Sequence, residues 1–345
     1  MSARLHVLLG SGGVGKTTLA AGYALALART GRKVGLLGID PARRLQSALG
    51  LTLLDLEAPV PGHATLSAAL FRPPECLRRW AKEACSDDAA RARLESNAFF
   101  LAMADRLAGA TDILAAARMA EWTERDPALT DLIVDTAPGL NAIEFLQRPG
   151  SLLTFLEGRL VKALRWLAQH RSGRFGSLVR SGTAALGGLA RVGGTRMLFE
   201  LADFLLLVEP VLVRMLERLE AAQAWLQRAD TEVLLVSAVR PDAESTTQQL
   251  TAALKGVGVQ PAAIVLNRAL APELITELAT TDPSTLSAEE RDLVRFISGT
   301  AAVQTKLHEV LRARGTPVKL VPAARGLDGE ARLDALAALG ASLVS

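Results

Sequence analysis

Short, nearly continuous apolar runs punctuate the chain at Leu5–Leu9, Val34–Ile39, Leu132–Val134, Phe204–Val208, Val233–Val236, Ala263–Leu266 and Val318–Val321. Runs of this length without polar alternation are the pattern of strands buried on both faces. The stretches between them carry apolar residues at helical spacing. Gly31, after Leu27-Ala28-Arg29-Thr30, has the place of a helix C-terminal cap just ahead of the second strand. Strands that alternate with helices predict an α/β fold, a doubly wound and mostly parallel sheet, in one domain spanning residues 1–345.

Two intervals are too long for bare crossovers. Roughly ninety residues separate the second and third runs, so they must hold helices of their own. "FRPPECLRRWAKEACSDD" and "ARLESNAFFLAMADRLAGATDILAAARMAEW" supply the composition for them, which predicts a helical insertion over about 55–128. A second insertion is expected over about 151–201, where Leu152, Leu153, Leu156, Leu160, Leu164 and Leu167 recur at helical spacing. From Gly158 to Phe199 it holds eight Lys or Arg and no Asp or Glu. A greasy and basic segment of this kind is either a helical lid or a surface that meets a protein client, a partner or a membrane.

Composition narrows the classes. Of 345 residues half are hydrophobic, enough for a large core, and the net charge of +3 is mild. Anionic ligands are open to such a chain, but no nucleic acid is expected as partner. Its two cysteines, Cys76 and Cys85, cannot build a disulfide framework or a four-thiolate metal site. The first strand begins within a few residues of Met1 and no run of about 18 uncharged apolar residues occurs, which predicts a soluble cytoplasmic protein.

The chemistry concentrates at strand ends. "GSGGVGKTT", Gly10, Ser11, Gly12, Gly13, Val14, Gly15, Lys16, Thr17 and Thr18, joins the first strand to a helical pattern with the spacing of a phosphate-binding loop. Its glycines let successive N–H groups face phosphate oxygens, and the following helix adds its N-terminal dipole. Lys16 is expected at the β- and γ-phosphates, Thr17 on Mg²⁺ and Thr18 at the α-phosphate. "GIDPARRL" puts Asp40 after the second strand. "LIVDTAPGLNAIEFL" puts Asp135 after the third, as a carboxylate placed to hold a magnesium-bound water.

The loop, "DPA", "DTAP" and "VLN" near the C-terminus together resemble the ArsA-type deviant Walker A ATPases. This family includes arsenite-pump ATPases and the Get-pathway factors that carry tail-anchored proteins. Longer stretches look closer to a bacterial ArsA-related branch. The resemblance implies a P-loop NTPase fold, ATP with Mg²⁺, and a dimer. It makes Asp40 the switch I group that positions water and Asp135 the Walker B group. The segment through Leu146 becomes switch II, Asn267 the adenine-reading amide, and Val321 and Pro322 the loop over the other face of the base. Its functional partners are then a homodimeric copy or a related ATPase in a heterodimer.

Departures from the family pattern bear on function. Ser11 stands where the family carries its signature lysine, and Arg43 and Arg44 follow Ala42 in the switch I motif. No paired CxxC is present, so no structural zinc is expected between subunits. Without a cation at position 11 hydrolysis should slow by at least about 10². Three ways out remain open: Arg43 or Arg44 substitutes, a partner chain supplies the lysine, or the protein is a clamp that scarcely turns ATP over. A slow Mg-ATP-dependent dimeric switch coupled to the helical insertions accounts best for these features. The rivals are a non-hydrolysing binding subunit and a positioning ATPase of the ParA and MinD kind.

Overall fold

The computed structural model describes residues 3–39, 44–53, 55–85, 87–101, 111–139, 184–282, 284, 286–323 and 331–344. These divide into two compact units: residues up to 71, 123–144 and from 225 onward form the first, and 72–122 with 145–224 the second.

In the first unit a sheet of eight strands runs in the order β3-β4-β2-β5-β1-β6-β7-β8. Its members are β1 (Arg4–Gly10), β2 (Val34–Gly38), β3 (Ala58–Val60), β4 (His63–Leu70), β5 (Asp131–Asp135), β6 (Glu232–Ala238), β7 (Ala263–Ala269) and β8 (Val318–Pro322). All neighbours pair in parallel except β3 with β4. The apolar runs form the middle of the sheet because each is covered on both faces: β2 and β5 are buried at every residue. Helices α1 (Lys16–Arg29) and α2 (Arg44–Leu49) follow the first two strands. α7 (Ala243–Gly256), α8 (Pro272–Thr280), α9 (Ala288–Arg312) and α10 (Arg332–Ala341) belong to the C-terminal part.

Helix α1 is buried along most of its length, and α10 lies directly against it. Gly22 and Gly340 make that approach possible. A Cβ on Gly340 would strike the backbone of Gly22, and one on Gly22 would strike the Leu336 carbonyl oxygen. The C-terminal helix thereby braces the helix that opens at the phosphate loop.

At the start of β1 lies a buried polar cluster. His6 is bonded through Nε2 to Asp131 at 2.9 Å and through Nδ1 to Glu232 at 3.0 Å. Tyr23 donates its hydroxyl to Glu232 at 3.0 Å, and Arg32 donates to Asp131 at 2.6 Å. Burial, the largest influence, favours a neutral His6 ring, but the two carboxylates outweigh it and raise its pKa. Glu232 is held below the usual carboxylate range chiefly by its bond to His6. For Asp131 burial pushes upward, and His6, Thr130 and Arg32 together pull it below normal.

The described residues of the second unit form α3 (Pro73–Ala84), α4 (Asp88–Glu95), most of α5 (Thr111–Arg125) and most of α6 (Ala184–Leu226). Its core gathers Trp80, Leu94, Phe100, Met119, Trp122, Val208 and Val211. Arg79 forks onto buried Glu121 with bonds of 2.8 and 2.7 Å, and Arg118 and Arg218 lie over the rings of Trp122 and Trp80.

Two expectations need correction. Phe204–Val208 is not a strand but lies inside α6, where Leu205 and Val208 are buried and the alternate residues half-buried. The interval after β2 is not purely helical either. After α2 it holds the β3–β4 hairpin, whose second strand pairs with β2 from Val34↔Leu66 to Gly38↔Leu70. Asp40 and Arg43, Leu140–Leu146 of the switch II stretch, and 151–183 of the second insertion lie outside the described residues. So do residues 324–330 after Pro322.

Candidate functional site

Strand β1 ends at Gly10 in the middle of the sheet, between β5 and β6. Gly10 stands opposite Val236 of β6, and a Cβ there would collide with the Val236 carbonyl oxygen. Only glycine lets the chain leave the strand along this path. The loop then turns through Gly13 and Gly15, both left-handed at φ +75° and +91°. Gly15 is the N-cap of α1, no side chain caps that end, and the first turn holds no acidic residue. The leading N–H groups of α1 are thus open to an anion.

Lys16 is 6% exposed, and its ammonium is held inside the loop itself. Nζ donates to the carbonyl oxygens of Gly10 at 2.9 Å and Ser11 at 3.0 Å. The "DTAP" segment docks on the same strand end. Thr136 donates its hydroxyl to the Leu8 carbonyl at 2.7 Å, and the Gly139 N–H donates to the Gly10 carbonyl at 3.1 Å. Asp135, 1% exposed, sits level with Leu8 of β1 and Gly38 of β2. Ile39, just before Asp40, donates its N–H to the Asp135 carbonyl at 2.8 Å.

A cleft of about 240 Å³ opens at this point, lined by Gly13, Gly15, Lys16, Thr17, Thr18, Arg44 and Arg268. Three of these seven side chains or glycine positions are cationic, so the cleft suits a polyanion. The oxygens offered by Thr17 and Asp135 are hard donors of the kind Mg²⁺ prefers. The two residues fit that ion, which when bound supplies counter-charge to phosphate oxygens.

The far end of the loop meets β7. Asn267, 4% exposed at the end of β7, donates from Nδ2 to the Val14 carbonyl at 2.8 Å. That nitrogen fills the space a Cβ on Gly15 would need. Asn267 is level with Val321 of β8, and Pro322 follows opposite Ala269. Asn267, Val321 and Pro322 are therefore neighbours, with one donor of the amide used by the loop.

Two arginines at this site escape a motif-based reading. Arg268 follows Asn267 at a β-bulge and is the sole non-glycine residue at positive φ, +57°, among the described residues. The turn carries its exposed side chain into the cleft. Arg240 follows β6 and donates from Nη2 to the Ser11 hydroxyl at 2.9 Å. The available signal was position alone. Arg268 lies within the last residues of β7 and Arg240 just beyond β6, at the edge where open α/β sheets bind ligands.

A mostly parallel sheet with a glycine loop between its central strand and a buried helix defines the class: a P-loop nucleoside triphosphatase fold. The model of the anion-transporting ATPase (ArsA) family matches residues 3–283, and the chain belongs to that family of ATPases. It is 32% identical over 181 residues to the protein named ATPase get3 from Aspergillus terreus, covering 52% of this chain and 50% of that protein. It is 31% identical over 160 residues to the arsenical pump-driving ATPase of Acidiphilium multivorum, covering 43% of this chain and 26% of that one. The arsenical pump-driving ATPase of Escherichia coli is 29% identical over 160 residues, with the same coverage, 43% and 26%. The chain thus spans half or less of the length of these relatives. Among the described residues no helix is long and apolar enough to cross a membrane.

Proposed function

We propose that this chain is a Mg-ATP-dependent switch that works as a dimer, hydrolyses ATP slowly and uses its nucleotide state to control the second unit, residues 72–122 and 145–224. The observation that carries this is the shared acceptor at Gly10. The Lys16 ammonium and the Gly139 N–H both bind its carbonyl oxygen. A triphosphate draws the ammonium towards itself, because a phosphate oxygen is a stronger, charged acceptor than a carbonyl. The Gly10 carbonyl then keeps only its bond to Gly139. From Gly139 the chain continues directly into the second unit, which begins again at Phe145. Nucleotide state is thereby communicated along the chain to helices that take a client or partner protein.

In this mechanism the loop N–H groups and Lys16 hold the phosphates, Thr17 would bind Mg²⁺, and Asp135 would hold a magnesium-bound water. Asp40 orients the attacking water, the role that family membership suggests for it. The second copy is an identical or a related ATPase chain. A nucleotide-gated clamp without useful turnover is the alternative, and Ser11 favours it because a hydroxyl brings no charge to the terminal phosphate.

The decisive experiment measures MgATP binding and hydrolysis by the purified chain and by Lys16→Ala, with sedimentation in ADP and in a non-hydrolysable ATP analogue. Binding lost in the variant and a dimer enriched by the analogue are expected. Equal affinity in the variant overturns the nucleotide site. A monomer in both nucleotides overturns the dimer.

A further inference from the structure

Ser11 is the loop position that lacks a charge of its own, yet a guanidinium rests on it. Arg240 Nη2 donates to Ser11 Oγ at 2.9 Å across 229 residues of sequence. Asp242, two residues on, stands behind the guanidinium, with Oδ1 3.3 Å from Nε and Oδ2 3.5 Å from Nη2. Nη2 thus donates to Asp242 as well as to Ser11, while Nε, although buried, makes no hydrogen bond among the described residues. Arg240 is therefore steered by Asp242 and directed at Ser11.

The contact also lies at a definable end of the site. The Ser11 carbonyl accepts from the Lys16 ammonium at 3.0 Å, and the lysine of such a loop serves the β- and γ-phosphates. Asn267 holds Val14, and Arg268 lines the cleft beside Gly13 and Gly15. Ser11 and Arg240 accordingly belong to the terminal-phosphate end.

A hydroxyl has one proton to give and two lone pairs to fill. With one lone pair of Ser11 Oγ taken by Arg240, its proton must point elsewhere, and the nearby cation makes the O–H a stronger donor. We propose that Arg240 is a positioning residue for the γ-phosphate: it holds the Ser11 hydroxyl so that its proton is offered to a terminal phosphate oxygen, and so makes the site prefer a nucleoside triphosphate to a diphosphate. Position 11 thus stays neutral, but its hydroxyl is polarised by a guanidinium of the same chain, from the turn after β6. This rests on the nucleotide site proposed above.

The test is a set of affinities for MgADP and for a non-hydrolysable MgATP analogue, measured by calorimetry on the full chain and on Arg240→Ala, Arg240→Lys, Ser11→Ala and the double alanine variant. The expected result is at least about a tenfold loss for the triphosphate in Arg240→Ala and in Ser11→Ala, with ADP within threefold of the parent. The double variant should be no worse than either single one, and Arg240→Lys should recover part of the loss. Equal losses for both nucleotides overturn the proposal, since Arg240 then only braces the loop. No loss for either nucleotide overturns it too. A triphosphate loss in Arg240→Ala but not in Ser11→Ala overturns the route through serine. Retained binding in Lys16→Ala is a separate outcome that strikes the nucleotide site itself.

Discussion

Lys16 and Gly139 donate to one and the same oxygen, the carbonyl of Gly10, at 2.9 and 3.1 Å. The residue proposed to serve the phosphates and the segment that continues towards the second unit thus share a single acceptor, whose two lone pairs take one donor each.

That shared acceptor predicts a local change in protection. Triphosphate binding removes the ammonium from Gly10, leaving its carbonyl to Gly139 alone, so the amide of Gly139 should exchange more slowly with a non-hydrolysable ATP analogue than without nucleotide. Hydrogen exchange resolved over residues 136–139 measures this. Identical exchange in both conditions, with nucleotide bound, contradicts the coupling.

Arg268 holds a left-handed backbone that glycine adopts without cost, while its side chain lines the anion cleft. Arg268→Gly should therefore raise stability by roughly 1 kcal/mol and lower nucleotide affinity. Denaturation and calorimetry on the same variant check both directions. A variant that loses stability, or keeps full affinity, argues against a residue strained for function.

The His6 cluster predicts a pH dependence with a definite sign. Its pKa is raised in the folded state, so its contribution is fully present below the unfolded value near 6.5 and is lost as pH rises through the folded value. The lowered pKa values of Asp131 and Glu232 act the other way, stabilising above the ordinary carboxylate range and fading in acid. The stability difference between the parent and His6→Gln should then be largest near pH 5.5 to 6.5 and shrink towards pH 9, as urea denaturation at each pH reads. A difference that grows with pH contradicts a charged His6.

At the crossing of α1 and α10 there is no space for a methyl group. Gly340→Ala should cost about 1–3 kcal/mol through overpacking, lowering the melting temperature by several degrees. Gly258→Ala is the comparison: nothing lies near its Cβ position, and its φ of +75° makes strain alone the expected cost. If Gly340→Ala is as stable as the parent, the close approach of the two helices is wrong.

Much of the sheet was legible in the chain because a strand covered on both faces has to be apolar throughout. Leu5–Leu9, Val34–Ile39, Val233–Val236 and Ala263–Leu266 carry that requirement on their surface. Phe204–Val208 has the same composition yet folds as helix. Five apolar residues in a row have no period, and Pro210 looks like a stop although α6 passes through it. The opposite error hid β4. "HATLSAAL" is rich in small and polar residues, poor in strand formers, and becomes a strand because it pairs along β2.

The phosphate loop with Lys16 and Thr17 is legible in the sequence itself, since a phosphate cradle needs those residue types at that spacing after one strand, and Asp135 is legible as the carboxylate that ends a second apolar run, β5. Contacts between distant segments were decided only by the tertiary structure. Asn267 reaches Val14 across 253 residues, and Arg240 reaches Ser11 across 229. Neither distance is encoded in any local pattern. Both follow from the strand order, which sets β6 directly beside β1 and β7 beside β6, so that the residues leaving three parallel strands converge on one loop.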